Sequence, residues 1–193
     1  MTDAVAGESR TGGGLRRPSP GTRRVFFALW PEDEVQRALE TLAVALQRDS
    51  GGRTMRASNI HLTLVFVGSV AAERLSELKR LAASVGAPGV ELAIDALHFW
   101  GHNRIIWAGA REVPVALVTL VARLADQLRG AGFRIDERPY VPHITLVRDA
   151  RRAPAERELE CIAWRATDFA LVESVRQGNR TVYQVLERWL LAG

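Results

Sequence analysis

His61-Leu62-Thr63-Leu64 and His143-Ile144-Thr145-Leu146 are two His-apolar-Thr-apolar tetrads set 82 positions apart. The chain holds four histidines, so half of them head one pattern. At this composition about one His in a hundred would start such a tetrad by chance, and two of four would do so about once in a thousand chains. Each tetrad lies in an apolar, β-branched run that reads as a strand, HLTLVFVG at 61–68 and VPHITLVR at 141–148. Residues i and i+2 of a strand share a face, so His61 projects with Thr63 and His143 with Thr145. A single such Thr has an ordinary explanation in β propensity; its repeated pairing with His does not.

Working outward, RVFFALW at 24–30 reads as a strand, followed by Pro31 and the acids Glu32, Asp33 and Glu34, which suit the first turn of a helix. Val35, Leu39, Leu42 and Leu46 recur at helical spacing up to Gly51-Gly52. The first tetrad strand runs to Gly68, and Leu75, Leu78, Leu81 and Val85 mark a second helix that Gly86 and Pro88 stop. Strands are expected over Glu91–Trp100 and Arg104–Ala110 around a Gly101-His102-Asn103 turn, then a helix carrying Leu117, Leu120, Val121, Leu124 and Leu128. The order then repeats. The second tetrad strand runs Val141–Val147, a polar link Asp149–Glu158 has room for a short helix, and strands Phe169–Val175 and Thr181–Leu190 flank Gly178-Asn179. Two halves with one order of elements predict an α+β fold. It is bilobal and pseudo-twofold, with antiparallel-rich sheets around a central cleft, helices on the outer faces and both tetrads facing the cleft.

The chain has 193 residues, 47% of them hydrophobic, and no apolar run of the ~20 residues a membrane span requires. Residues 1–22, rich in Gly, Ser, Thr, Pro and Arg, read as a disordered leader, and 23–193 as one bilobal domain. The leader lacks the apolar core of a secretory signal, and the lone cysteine, Cys161, has no partner for a disulfide and no ligand neighbours. Both point to the cytoplasm, with Cys161 a buried or half-buried bystander. The net charge is +4, and Lys79 is the only lysine, so the cations are nearly all arginine. Arg grips phosphate with a two-pronged donor fork, though pI alone speaks first to solubility.

Two imidazoles across a cleft suit general acid and base work, because His has the side-chain pKa nearest neutrality. Zinc wants three or four protein ligands, and both tetrads have apolar flanks, so no metal or other cofactor is expected. No GxSxG motif supports a nucleophilic serine. The hydroxyls of Thr63 and Thr145, each donor and acceptor, suit the non-bridging oxygens of a phosphate. Of the remaining candidates, His98 and His102 flank a hairpin, Arg138 and Tyr140 precede the second tetrad, and Trp30 or Trp100 is the tryptophan best placed to receive a base.

HLTLVFVG and RPYVPHITLVR, with RVFFALWP at 24–31 and GNRTVYQVLERWLL at 178–191, resemble the paired motifs of the two-histidine phosphoesterases. The likeness is to their bacterial branch, the RNA 2′,3′-cyclic phosphodiesterases once called 2′-5′ RNA ligases, and covers roughly residues 23–191. The resemblance implies metal-independent opening of RNA-terminal 2′,3′-cyclic phosphates to 2′-phosphates. It makes His61 and His143 catalytic, with His143 the base and His61 the acid, and Thr63 and Thr145 substrate-binding. Arg148 matches a phosphate-binding position and Phe66 one that borders the nucleoside; a regular strand would turn both away from the histidine face. The implied partners are RNA ends or nucleotide 2′,3′-cyclic phosphates, with no membrane, and the chain is expected to act as a monomer. Two alternatives stay open: another cyclic phosphodiester, such as an ADP-ribose cyclic phosphate or a cyclic nucleotide, and an RNA-end binding or 2′-5′ joining protein.

Overall fold

The computed structural model describes residues 21–155, 159–178 and 180–192. The first half runs β1 (Thr22–Leu29), α1 (Asp33–Ser50), β2 (Arg53–Thr54), β3 (Leu62–Ala71), α2 (Leu75–Ala83) and β4 (Val90–Ile94). The rest runs β5 (Ala96–Trp100), β6 (Ile105–Gly109), α3 (Val115–Gly130), β7 (Ile144–Arg148), β8 (Ile162–Ala166), β9 (Asp168–Gln177) and β10 (Arg180–Leu190). The expected leader lies outside the described residues except at its end, where Thr22 already pairs with Ala71 as the first residue of β1.

All strand pairs are antiparallel. One lobe is the ribbon β10-β9-β1-β3 and the other β7-β6-β5, with β2 on β7. They meet at a seam where β3 and β7 pair only through Leu62 and Ile144. The pseudo-symmetry is visible in the ladder: β1 pairs with β3 across α1 just as β6 pairs with β7 across α3. Hairpins are exchanged between halves. β5–β6, which follows the first tetrad in sequence, builds the second lobe, and β9–β10, which follows the second tetrad, builds the first.

Helices cover one face of this sheet. α1 buries Val35, Leu39, Ala43 and Leu46, and acids Asp33 and Glu34 in its first turn meet the positive end of the helix dipole. Leu39 and Leu46 are fully buried, and each contributes about 2 kcal/mol by that burial. α1 packs on β7 and α3 on β3, so each helix locks down the tetrad strand of the other half. The other face carries a small second cluster, Phe26, Ala28, Ala170 and Val172 with Trp30 and Tyr183, of which Phe26 and Tyr183 reach the cleft.

Four expectations are corrected. The strand expected over Glu91–Trp100 breaks at Asp95, whose N–H donates to the Gly109 carbonyl and whose Oδ1 accepts from the Arg111 N–H. Its first part, β4, leaves the main sheet to pair with β8, a strand the sequence reading missed, through Leu92 and Trp164. Residues 149–155 of the polar link hold no helix, and 156–158 lie outside the described residues. Cys161 is exposed rather than buried, because it precedes the inward-facing residues of β8.

Candidate active site

Each tetrad histidine stands one residue before its strand, and the Leu62–Ile144 seam sets the two side by side. His61 Nδ1 lies 2.7 Å from the Asn59 carbonyl oxygen and His143 Nδ1 2.9 Å from that of Val141, the same bond to residue i−2 in both copies. A carbonyl only accepts, so Nδ1 carries the proton in each ring and Nε2 is left for a substrate. Asn59 is itself anchored: its Nδ2 donates to the Thr181 carbonyl of β10 at 3.0 Å.

Aromatic rings wall both imidazoles. Trp30 stacks on His61 at 5.2 Å and 7°, while Phe26 and Tyr183 each stand 5.0 Å away. Around His143, Trp100 stands edge-on at 4.7 Å and Trp107 at 6.1 Å. Burial holds the His61 pKa down at about 4 against the pull of the Asn59 carbonyl, with His143 and Arg148 lowering it further. Burial is also the main cause of the lowered His143 pKa, with Arg148 adding to it. A free site of this kind is neutral at both rings near pH 7.

Phe66 and Arg148 both line the cleft, contrary to regular alternation. The cause is a bulge in each strand. Phe27 pairs with Val65 and Ala28 with Thr63, leaving Leu64 extra; Ile106 pairs with Val147 and Trp107 with Thr145, leaving Leu146 extra. Both bulges fall three residues past the histidine, and each flips residue +5 onto the histidine face. Arg24 lies over the Phe66 ring with its guanidinium carbon 4.7 Å from the centroid. Beneath Arg148, Gly52 at φ +88 comes so close that a Cβ there would stand 2.5 Å from the Arg148 carbonyl oxygen.

The cleft encloses about 730 Å³ and is lined by His61, Thr63, His143 and Thr145 together with six arginines, at positions 24, 53, 56, 148, 176 and 180. Among the described residues lining it, Asp149 alone is acidic, and it is bound by the Arg53 fork through Nε at 3.0 Å and Nη2 at 2.5 Å. Of these six arginines the sequence pattern singles out Arg148 alone, because they come from five separate segments and share no local pattern. Tyr183 was missed too. Trp30 and Trp100 support the histidines and do not line the cleft. His98 is exposed and stacks on Trp107, and His102 is exposed beyond Trp100. Arg138 pairs with Asp136, and the Tyr140 hydroxyl donates to the Thr63 carbonyl at 3.1 Å, which ties the approach to β7 onto β3. Among the described residues no cluster of three or more His, Cys, Asp or Glu is arranged to hold a metal.

Two tetrads on a bilobal antiparallel sheet, facing one arginine-lined cleft, define the class. The chain belongs to the 2′-5′ RNA ligase superfamily, whose family model matches residues 31–178. It is 34% identical over 173 residues to the RNA 2′,3′-cyclic phosphodiesterase of Escherichia coli K12, covering 88% of this chain and 97% of that one. It is 30% identical over 187 residues to the protein of the same name from Thermus thermophilus, covering 88% and 91%. The crystal structure of E. coli LigT complexed with 3′-AMP matches with a TM-score of 0.81 at 34% identity, covering 89% of this chain and 99% of that one.

Proposed function

We propose that this chain is an RNA 2′,3′-cyclic phosphodiesterase that opens a terminal 2′,3′-cyclic phosphate to a 2′-phosphate and a free 3′-hydroxyl. The observation that carries the assignment of residues is the pair of Nε2 atoms left free by identical Nδ1 bonds, each beside a Thr in one basic cleft. Water attacks phosphorus in line with the departing O3′, so base and acid stand on opposite sides of the phosphate. His143 Nε2 takes the water proton as the P–O bond forms. His61 Nε2 gives its proton to O3′ as the P–O3′ bond breaks. The hydroxyls of Thr63 and Thr145 hold the non-bridging oxygens, Arg148 offsets the charge that develops on them, and Phe66 borders the terminal nucleoside.

His61 must be protonated to serve as acid, yet at a pKa of about 4 only roughly one free molecule in a thousand carries that proton at neutral pH. The phosphodiester anion supplies the missing stabilisation of the charged ring. Placed between the rings, it opposes the positive field of Arg148 and favours imidazolium. Substrate binding is therefore coupled to proton uptake. The proposed enzyme acts as a monomer in the cytoplasm, without a metal or other cofactor.

The test is product analysis on an RNA ending in a 2′,3′-cyclic phosphate. A 2′-phosphate is expected; a 3′-phosphate reverses the leaving oxygen, and no reaction with retained RNA binding overturns the enzymatic reading.

A further inference from the structure

The cleft, at about 730 Å³, is larger than two histidines and one phosphate require, and its arginines divide by lobe. Arg53 and Arg56 lie at the β2 end, where Asp149 engages Arg53. Arg24, Arg176 and Arg180 lie at the end built by β1, β9 and β10. Elsewhere on this sheet exposed arginines are matched with acids, Arg23 with Glu173 and Arg188 with Asp168. Arg176 and Arg180 are exposed and have no acidic partner among the described residues, although they are near neighbours: Arg176 pairs across the hairpin with Thr181, and Arg180 with Gln177.

Their distance from the histidines is informative. Tyr183 touches His61 and pairs with Ser174. Arg176 stands one two-residue step further along β9, about 6.7 Å, on the same cleft-lining face. Arg176 and Arg180 thus continue the cleft lining beyond Tyr183, the residue in contact with His61.

We propose that the β9–β10 hairpin binds the RNA strand upstream of the cyclic phosphate, with Arg176 and Arg180 gripping the phosphate on the 5′ side of the terminal nucleoside. The enzyme thereby selects oligonucleotide ends over nucleoside 2′,3′-cyclic phosphates. This rests on the phosphodiesterase reading above and gives it a substrate length. The terminal base lies against Phe66, whose ring Arg24 backs, and the strand continues over the first lobe to the hairpin. Two guanidinium forks on one phosphate are worth about tenfold or more in affinity.

The experiment compares kcat/KM for a nucleoside 2′,3′-cyclic phosphate and for an RNA tetranucleotide with the same end, at low and raised salt. The proteins are wild type, Arg176→Gln/Arg180→Gln, Arg176→Lys/Arg180→Lys and Arg56→Gln. Wild type is expected to favour the oligomer, more so at low salt. The double Gln variant should lose at least about tenfold more activity on the oligomer than on the nucleoside substrate, with a log–log salt slope shallower by about 0.7 per phosphate released. The Lys pair should keep part of the preference, since it retains the charges. Both arginines are exposed, and an unchanged thermal melt excludes misfolding. Equal wild-type turnover of the two substrates, a double variant that slows both alike, or a preference lost in Arg56→Gln instead each overturns the hairpin assignment. Turnover of neither substrate overturns the phosphodiesterase reading itself, and the assignment with it.

Discussion

Phe66 and Arg148 are structural counterparts: each lies five residues past its tetrad histidine and two past a one-residue bulge, and each lines the cleft from its own lobe. The fold thus offers two equivalent positions on the cleft wall and fills one with an aromatic ring and the other with a cation. Their contributions should separate kinetically. Arg148→Ala removes stabilisation of charge that grows in the transition state, and should lower kcat about 100-fold. Phe66→Ala removes a stacking contact made equally before and during reaction, and should raise KM by about tenfold with kcat little changed. Steady-state kinetics on an RNA cyclic phosphate checks both, and a loss confined to KM in Arg148→Ala would remove its catalytic role.

Gly52 fixes the backbone beneath Arg148. Gly52→Ala puts a Cβ 2.5 Å from the Arg148 carbonyl and 2.8 Å from the Ala150 nitrogen at φ +88, so backbone has to move. Gly132→Ala is the comparison, with φ +75 but nothing within 4 Å. The comparison variant should cost about 1 kcal/mol from its left-handed conformation alone. Gly52→Ala should cost about 3 kcal/mol or more in denaturant unfolding and also raise KM by displacing Arg148. Equal destabilisation of the two would show that the close approach relaxes freely.

The tetrads, β1, all three helices and both hairpins were legible because each rests on a local period or turn signal. The bulges left a trace as well: Leu64-Val65 and Leu146-Val147 are adjacent apolar pairs that break alternation at the same place in both strands. A strand buried on its helix side at two successive positions has to carry an extra residue, and that pattern predicts the cleft positions of Phe66 and Arg148. The division at Asp95 was hidden because Asp95 ends β4 through hydrogen bonds to Gly109 and Arg111, remote in sequence. β8 was hidden because its partner, β4, precedes it by some seventy residues. The arginine lining was illegible for a related reason. Its members reach the cleft through pairings such as Arg53 with Arg148 and Arg176 with Thr181, which only the assembled sheet creates.

Stability should fall as pH falls through the window set by His61. The unfolded ring takes its proton near pH 6.5, the folded one only near 4, so the unfolded state binds more protons between them. The folded state's advantage is fully present above about pH 6.5 and is lost progressively down to about 4, by up to about 3 kcal/mol. His143, also lowered, acts in the same direction. His61→Gln should flatten this part of the profile in denaturant unfolding between about pH 7 and 4.5. An unchanged slope would show that His61 titrates near its ordinary value in the folded protein.

Turnover should survive chelation. The histidines bond backbone carbonyls through Nδ1, and no cluster of metal-binding side chains stands among the described residues. Full activity is expected after dialysis against EDTA, and added zinc should not raise it. Loss on chelation with recovery on adding metal would replace acid–base chemistry with a metal-activated water.

The roles of the two histidines are separable by the leaving group. An alkoxide leaving as O3′ needs a proton in the transition state, whereas a thiolate, with a thiol pKa near 8.5, does not. Each of His61→Ala and His143→Ala should lose at least about 100-fold on an RNA ending in an ordinary 2′,3′-cyclic phosphate. On the analogue with sulfur at the 3′ position, His61→Ala should recover to within about tenfold of wild type, because the step it served has lost its need for an acid. His143→Ala should stay impaired, since water still has to be deprotonated. The wild-type profile on the natural substrate should be bell-shaped, and on the sulfur analogue the limb belonging to the acid should disappear. Rescue of His143→Ala alone would exchange the roles, and equal rescue of both would show that the two rings share them.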